Sequence, residues 1–158
     1  MIGLLSVREI TRMSATLTPA RRMCVDWDQE VAAVLVLIVD DNADCRHMYR
    51  TFLRHVGIDS DCATSGHEAV ELAPLIRPDV IVMDLAMPGL DGWRAIRRLK
   101  ADQRTRHIPI VAVTGQHVGE QDERHALGAG FAAYCRKPCA PAELVKVVRQ
   151  VAERREIA

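Results

Sequence analysis

The chain has 158 residues, of which 49% are apolar, so it is long enough to bury one ordinary core without disulfide or metal cross-links. Its 21 basic and 21 acidic side chains cancel, which removes the usual electrostatic reason to expect general binding to nucleic acids or to anionic membranes. The longest apolar run covers only residues 31–39, so we expect no membrane insertion and a cytoplasmic location.

The first segment of the chain, residues 1–33, has no sustained hydrophobic period, and its Thr18-Pro19 step interrupts any helix there. We expect a poorly ordered leader in this segment, followed by a single domain over residues 34–156. A docking segment for a partner is the alternative reading of the leader.

The cysteines are odd in number and irregularly spaced, and most lie in apolar or helical stretches. This pattern favours buried, reduced thiols over a disulfide framework. A zinc site is also disfavoured, because a second ligand pair with the usual two-residue spacing is missing. The five cysteines are Cys24, Cys45, Cys62, Cys135 and Cys139.

From residue 34 onward, apolar strand-like runs alternate with helical periods. Residues 34–39 are a continuous Val, Leu and Ile run, which is typical of a strand covered on both faces. Asn42 is a suitable N-cap for the helix that follows, and Gly57 ends that helix. The predicted strands are residues 34–39, 58–63, 80–83, 108–113 and 131–135. The predicted helices are residues 42–56, 65–76, 93–100, 119–127 and 141–151.

Strands that alternate with helices require crossover connections, which predicts an α/β domain with a doubly wound, five-stranded parallel sheet and five helices. Such sheets bind their ligands beyond the carboxyl ends of the strands. Five polar residues follow or end these strands: Asp40 and Asp41 after the first, Asp84 after the third, Thr114 after the fourth and Lys137 after the fifth. A single Asp at such a place is usually a cap or turn former, but the coincidence at one edge indicates a site.

The electrostatics of such a cluster restrict what it can be. Two carboxylates about 4 Å apart repel each other by roughly 4 kcal/mol at an effective dielectric near 20. A hard cation with oxygen ligands, such as Mg²⁺, relieves this repulsion. One Asp is then available as a nucleophile toward phosphorus, while Lys137 and Thr114 offer a positive charge and a hydroxyl to the transferred phosphoryl group.

Four sequence motifs carry a family resemblance that spans about residues 34–153. They are LIVDDN at residues 37–42, VMDLAMPGLDG at 82–92, VTG at 113–115 and RKP at 136–138. In this order and spacing the chain resembles the receiver domains of two-component response regulators, in particular the chemotaxis-type single-domain receivers. The resemblance implies a flavodoxin-like sheet with strand order 2-1-3-4-5.

The resemblance also implies a role for each residue of the cluster. Asp84 corresponds to the phosphoacceptor. Asp40 and Asp41 correspond to Mg²⁺ ligands, together with Asp84 and the backbone carbonyl of Ala86. No other cofactor is implied.

The remaining two positions of the cluster, Thr114 and Lys137, correspond to residues that contact the phosphoryl group. Tyr134 falls on the aromatic switch position, whose ring turns inward when Thr114 shifts toward the phosphate. The resemblance further implies a cis peptide bond between Lys137 and Pro138.

The function implied is a stand-alone response regulator or phosphorelay receiver that accepts a phosphoryl group on Asp84 from a sensor histidine kinase or a histidine phosphotransfer protein. Such a domain catalyses only its own phosphorylation and dephosphorylation, so we do not expect an enzyme in the usual sense. Because no output domain follows in this sequence, we expect output through a downstream protein partner or an onward relay.

Two other functions stay open at this stage. A Mg²⁺-dependent small-molecule phosphatase or phosphotransferase also uses an Asp nucleophile, but haloacid-dehalogenase-like enzymes need a second Asp at the place of Ala86. A scaffolding receiver that is never phosphorylated is the other. The arginines of the third helix suggest direct nucleic-acid binding, but a solvated face explains them better, because interleaved aromatic residues are absent.

Overall fold

A computed structural model describes residues 34–88, 92–115 and 130–156 of the chain. Within these ranges five strands alternate with four helices. The strands are Leu35–Val39 (β1), Asp59–Ala63 (β2), Val80–Asp84 (β3), Ile110–Thr114 (β4) and Ala133–Arg136 (β5). The helices are Ala43–His55 (α1), Gly66–Ile76 (α2), Gly92–Ala101 (α3) and Pro141–Glu156 (α4). The predicted leader and the predicted helix at residues 119–127 lie outside the described residues.

The five strands form one parallel sheet in the order β2-β1-β3-β4-β5, which confirms the predicted topology. The register keeps the carboxyl ends of the central strands level. Val39 pairs with Met83, and Thr114 pairs with Arg136. The residues that end or follow β1, β3, β4 and β5 therefore share one edge of the sheet.

Both faces of the sheet are covered, which explains why the central strands are apolar along their whole length. Leu37 and Val39 of β1 belong to a buried cluster that includes residues of α2 and α3. Val36 and Ile38, which alternate with them, belong to a second cluster that includes residues of α1 and α4. Alternate side chains of β1 thus pack into the two cores on opposite faces of the sheet.

The helix ends follow the predicted capping chemistry. The Asn42 side chain accepts hydrogen bonds from two N–H groups in the first turn of α1, and Ser65 Oγ accepts one from the N–H of Glu68 in α2. Gly57, with φ of 78°, follows α1 in the left-handed conformation. Arg77, with φ of 49°, adopts the same conformation after α2. The peptide bond between Lys137 and Pro138 is cis, as expected.

Two strands begin two residues later than predicted. β4 begins at Ile110, because the N–H of Ile108 donates to the carbonyl of Thr105 in a turn (2.9 Å) and Pro109 has no N–H to offer. β5 begins at Ala133 and extends one residue further than predicted. Before these starts, the carbonyl of Pro109 accepts from the N–H of Ile81 (3.0 Å) and the N–H of Ala132 donates to the carbonyl of Ile110 (2.8 Å), but the regular strands begin only at Ile110 and Ala133.

The sequence predicts that Lys100 faces solvent beside the arginines of α3, which is wrong for this residue. Lys100 is half-buried, and its Nζ donates to the carbonyls of Arg106 (3.1 Å) and Ile108 (2.8 Å). Burial lowers the pKa of its ammonium group. Lys100 therefore fastens the turn before β4 to α3 and is not part of a basic surface.

The four cysteines within the described ranges are free thiols, in agreement with the predicted reduced state. Cys45 and Cys62 are half-buried, whereas Cys135 and Cys139 are buried. Desolvation raises the pKa of all four thiols, which disfavours the reactive thiolate.

Within the described residues, no helix combines the length and the apolar character required to cross a membrane.

Replacement of a core leucine tests the packing of the α1 side of the sheet. Leu53 is 1% exposed in α1, whereas Leu75 is 76% exposed in α2. We expect Leu53→Ala to lower the free energy of unfolding by about 2–5 kcal/mol, because it leaves a cavity in the core. Leu75→Ala is the control and should change it by less than about 0.5 kcal/mol. Urea denaturation measures both; equal losses would contradict the described burial.

Tyr49 provides a pH-dependent test of the same core. Its buried hydroxyl donates to the carbonyl of Cys139 (3.2 Å), and desolvation raises its pKa to about 12. Between pH 10 and 12 the unfolded chain ionises this phenol while the folded chain does not, so stability falls as pH rises through that window. Ultraviolet titration should show a phenol of that pKa that Tyr49→Phe removes. Its persistence in Tyr49→Phe would disprove the assignment.

Candidate functional site

Three carboxylates meet at the carboxyl edge of the sheet. Asp40 and Asp41 directly follow β1, and Asp84 is the last residue of the adjacent strand β3. One carboxylate oxygen from each of the three lies within 4.8 Å of the others. Asp40 and Asp84 are 3% and 4% exposed, whereas Asp41 is exposed. The predicted cluster is therefore assembled, with two buried acids and one at its mouth.

Backbone N–H groups orient the two buried carboxylates. The N–H of Asn42 donates to Oδ1 of Asp40 (2.8 Å), and the N–H of Ala86 donates to Oδ1 of Asp84 (2.9 Å). In both cases the donor lies two residues further along the chain, so each acid closes its own turn. This arrangement fixes one oxygen of each carboxylate and leaves the other oxygen available to a different partner.

The second oxygens of the two buried acids share one ammonium group. Lys137 Nζ lies 2.9 Å from Oδ2 of Asp40 and 2.7 Å from Oδ2 of Asp84. Its backbone N–H donates to the carbonyl of Thr114 (2.8 Å), which fixes the start of the side chain at the end of β4. Burial alone would lower the pKa of Lys137, but the hydrogen bonds to Asp84 and Asp40 outweigh it and raise the pKa. The side chain is therefore a cation at neutral pH.

The donor set fits a hard divalent cation. Three carboxylates against one ammonium leave the pocket short of positive charge, and all of the converging acidic groups offer oxygen. Oxygen ligands with open positions for water and phosphate are what Mg²⁺ requires. Asp40, Asp41 and Asp84 thus fit the predicted Mg²⁺ ligands. The N–H of Ala86 is held by its hydrogen bond to Asp84. The role of the Ala86 carbonyl as a Mg²⁺ ligand stays a prediction.

The two predicted switch residues lie on neighbouring strands. Thr114 is the last residue of β4 and is 3% exposed. Tyr134 lies in β5 opposite Ala112 and is 47% exposed. Thr114 is thus placed beside Lys137 at the site, whereas Tyr134 lies largely at the protein surface. Their roles as switch residues stay predictions.

Two residues that the sequence reading missed also shape the site. A Cβ atom on Gly92 would lie 2.5 Å from the carbonyl oxygen of Asp84 and 2.8 Å from Cα of Leu85, so α3 begins directly against the end of β3. Arg46 Nη1 donates to the carbonyls of Asp40 (2.8 Å) and Asp41 (3.0 Å). Gly92 reads from the sequence as a loop residue, and Arg46 as an exposed helix residue, so neither offers a local signal.

The fold and the site together define a doubly wound α/β domain with an acidic pocket at the carboxyl edge of its sheet. A family model for the response regulator receiver domain matches residues 36–149. This range contains β2 to β5, all of β1 except Leu35, and every residue of the pocket. The chain belongs to the response regulator receiver domain family.

Similar sequences support this membership. An uncharacterised 14.6 kDa protein from the sodA1 3′ region of Leptolyngbya boryana is 34% identical over 122 residues, which are 77% of this chain and 92% of that protein. The polar-differentiation response regulator DivK of Brucella ovis is 33% identical over 114 residues, which are 72% of this chain and 92% of DivK.

Solved structures of receiver domains also match. The chemotaxis protein CheY4 of Vibrio cholerae superposes with a TM-score of 0.71 at 28% identity, and the match covers 76% of this chain and 99% of CheY4. The receiver domain of the sensor histidine kinase PA1611 of Pseudomonas aeruginosa, described with a magnesium ion coordinated in its active-site cleft, gives 0.69 at 32% identity. That match covers 77% of this chain and 99% of the PA1611 domain.

Substitution of Gly92 tests the close approach of α3 to the site. We expect Gly92→Ala to lower the free energy of unfolding by about 1–3 kcal/mol, because the added methyl group meets backbone atoms that cannot move independently. Gly115→Ala is the matched control, since its Cβ would meet only Lys137 Cβ at 3.8 Å. Urea denaturation compares the two. A Gly92→Ala protein as stable as the control would rule out this contact.

Proposed function

We propose that the chain is a phosphorylated switch that accepts a phosphoryl group on Asp84 in a pocket that also binds Mg²⁺. The donor is the phosphohistidine of a sensor histidine kinase or of a histidine phosphotransfer protein. One observation carries the proposal: Lys137 Nζ bridges Asp40 and Asp84 beside the third carboxylate, Asp41. The pocket therefore combines a carboxylate nucleophile, an adjacent cation and a set of oxygen ligands.

The chemistry is an in-line transfer between two nucleophiles. A carboxylate oxygen of Asp84 attacks phosphorus, the bond from phosphorus to the histidine nitrogen breaks, and an acyl phosphate forms on Asp84. Mg²⁺ bound by Asp40, Asp41, Asp84 and the Ala86 carbonyl would neutralise charge on the phosphoryl oxygens.

The chain's own residues supply the remaining stabilisation of the transferred group. Lys137, which already reaches Asp84, supplies a positive charge to the phosphoryl oxygens as they arrive. Thr114 supplies its hydroxyl from the end of β4. Both act by position and charge, which dominate the catalysis of phosphoryl transfer.

Output follows from a shift between two conformations of the domain. The phosphoryl group adds negative charge at the sheet edge and can shift the populations only by its differential interaction with the two states. We propose that Thr114 moves toward this charge and that Tyr134, exposed on the neighbouring strand, turns inward. A downstream protein then recognises the changed surface.

We further propose a cytoplasmic location, with the receiver domain at residues 34–156 behind a leader at residues 1–33.

The relatives support a signalling role over the small-molecule phosphatase. DivK is named as a response regulator, and CheY4 as a chemotaxis protein. A haloacid-dehalogenase-like phosphatase lacks support, because Ala86 has no carboxyl group to act as general acid. A scaffolding receiver is separated from the proposed function by whether Asp84 takes a phosphoryl group.

Phosphorylation by a small acyl phosphate tests the proposal. Intact-mass spectrometry of the full chain, incubated with Mg²⁺ and acetyl phosphate, should show the mass of one added phosphoryl group. Asp84→Asn should abolish the addition, because the nucleophilic oxygen is lost. The matched control is Asp59→Asn, an exposed acid on the edge strand β2, which should be modified like the wild type.

Removal of Mg²⁺ with a chelator should abolish the addition as well. A wild-type protein that is never modified would favour the scaffolding receiver. Steady hydrolysis of an aryl phosphate that Asp84→Asn abolishes would favour the phosphatase.

A further inference from the structure

Arg46 connects helix α1 to the turn that carries the first two acids. Its side chain is half-buried in the first turn of α1. A single atom, Nη1, donates to the carbonyl of Asp40 at 2.8 Å and to the carbonyl of Asp41 at 3.0 Å. The guanidinium group thus contacts two consecutive backbone oxygens, and these two hydrogen bonds do not occupy a carboxylate oxygen of either acid.

The other polar groups of this turn are also engaged. The N–H of Asp40 donates to the carbonyl of Ala63 at the end of β2 (3.2 Å), and the N–H of Asn42 donates to Asp40 Oδ1 (2.8 Å). With Arg46 on the two carbonyls, both peptide planes between Asp40 and Asn42 have a fixed orientation. The direction in which each acid leaves the backbone depends on those planes, so Arg46 helps to fix the backbone position from which both side chains extend.

The positive charge of Arg46 also acts on the next turn along this edge. Glu68 accepts hydrogen bonds from the N–H and the Oγ1 of Thr64, each at 2.7 Å. These bonds lower the pKa of Glu68, and the charge of Arg46 lowers it further. Arg46 therefore adds positive charge at this side of the sheet, while its hydrogen bonds to the turn at Asp40 and Asp41 go to backbone carbonyls.

Lys137 and Arg46 differ in what they contact. The Lys137 ammonium occupies Oδ2 of Asp40, an oxygen of the cluster that also fits a metal ion. Arg46 stabilises the same acids from the backbone side and does not compete for that oxygen. Groups that orient metal ligands without binding the metal typically contribute 10–100-fold in metal affinity.

We infer that Arg46 is a positioning residue for divalent-cation binding at the Asp40, Asp41 and Asp84 cluster. The inference rests on the proposed function for the identity of the ion. Loss of Arg46 weakens the affinity for Mg²⁺, while the phosphorylation rate of Asp84 at saturating Mg²⁺ stays close to that of the wild type. Arg46 acts through the acids and touches neither the ion nor the phosphoryl group.

The test compares Mg²⁺ binding in three variants of the full chain by isothermal titration calorimetry, with folding checked by circular dichroism. We expect Arg46→Gln to weaken binding about tenfold. Arg50→Gln, an exposed arginine one turn further along α1, is the matched control and should bind like the wild type. Arg46→Lys should fall between them, because an ammonium group keeps the charge but stands on a shorter side chain with a different donor geometry.

Unchanged affinity in a folded Arg46→Gln protein, or an equal loss in Arg50→Gln, overturns the inference. If Arg46→Gln does not fold, Arg46→Lys decides: weakened binding supports the inference, and wild-type binding overturns it. Intact-mass phosphorylation separates the two proposals. Weakened Mg²⁺ binding in Arg46→Gln without any phosphorylation of the wild type refutes only the proposed function. Normal phosphorylation with unchanged Mg²⁺ affinity refutes only the role of Arg46.

Discussion

The site depends on one ammonium group that two buried carboxylates share. Lys137 follows β5 and reaches Asp40 after β1 and Asp84 at the end of β3, so the contact joins three strands of the sheet. A buried carboxylate without a partner costs several kcal/mol, and even a paired one gains little for stability. The shared ammonium group is therefore better explained by a chemical role of the site than by a contribution to the stability of the fold. With Asp41 added, the pocket holds more negative than positive charge, which favours a divalent cation.

The rest of the fold keeps these groups in place. Apolar strands covered on both faces form a rigid sheet, and each acid stands at a strand end where the ladder stops. Turns closed by the N–H groups of Asn42 and Ala86 fix one oxygen of each buried acid. Sites built on the ends of rigid elements and supported by hydrogen bonds hold their geometry better than sites on free loops. The precision of the pocket thus derives from the backbone as much as from its side chains.

The sequence predicts the parallel sheet of alternating strands and helices and the acid cluster from local signals, whereas the strand order is predicted only by the family resemblance. Continuous apolar runs mark the covered strands, capping residues mark the helix starts, and parallel topology then brings the strand ends together. The misses have a different origin. Lys100, Arg46 and Gly92 are defined by contacts with backbone atoms of the segments that precede or follow their helices. A charged residue on a helix reads as exposed, and its carbonyl partners have no signature in the sequence. The predicted start of β4 is wrong for the same reason, since the turn before it is closed by a backbone bond from the N–H of Ile108 to the carbonyl of Thr105.

The contacts of Lys137 also give the proposed switch a physical route. Its side chain contacts the carboxylate oxygens of Asp40 and Asp84, while its backbone N–H is bonded to the carbonyl of Thr114. Lys137 therefore contacts both the acids of the site and the end of β4. Thr114 lies there, and the adjacent strand β5 carries the exposed ring of Tyr134. Under the proposed function, charge added at Asp84 would therefore have a path, through Lys137 and the end of β4, to an aromatic side chain at the surface.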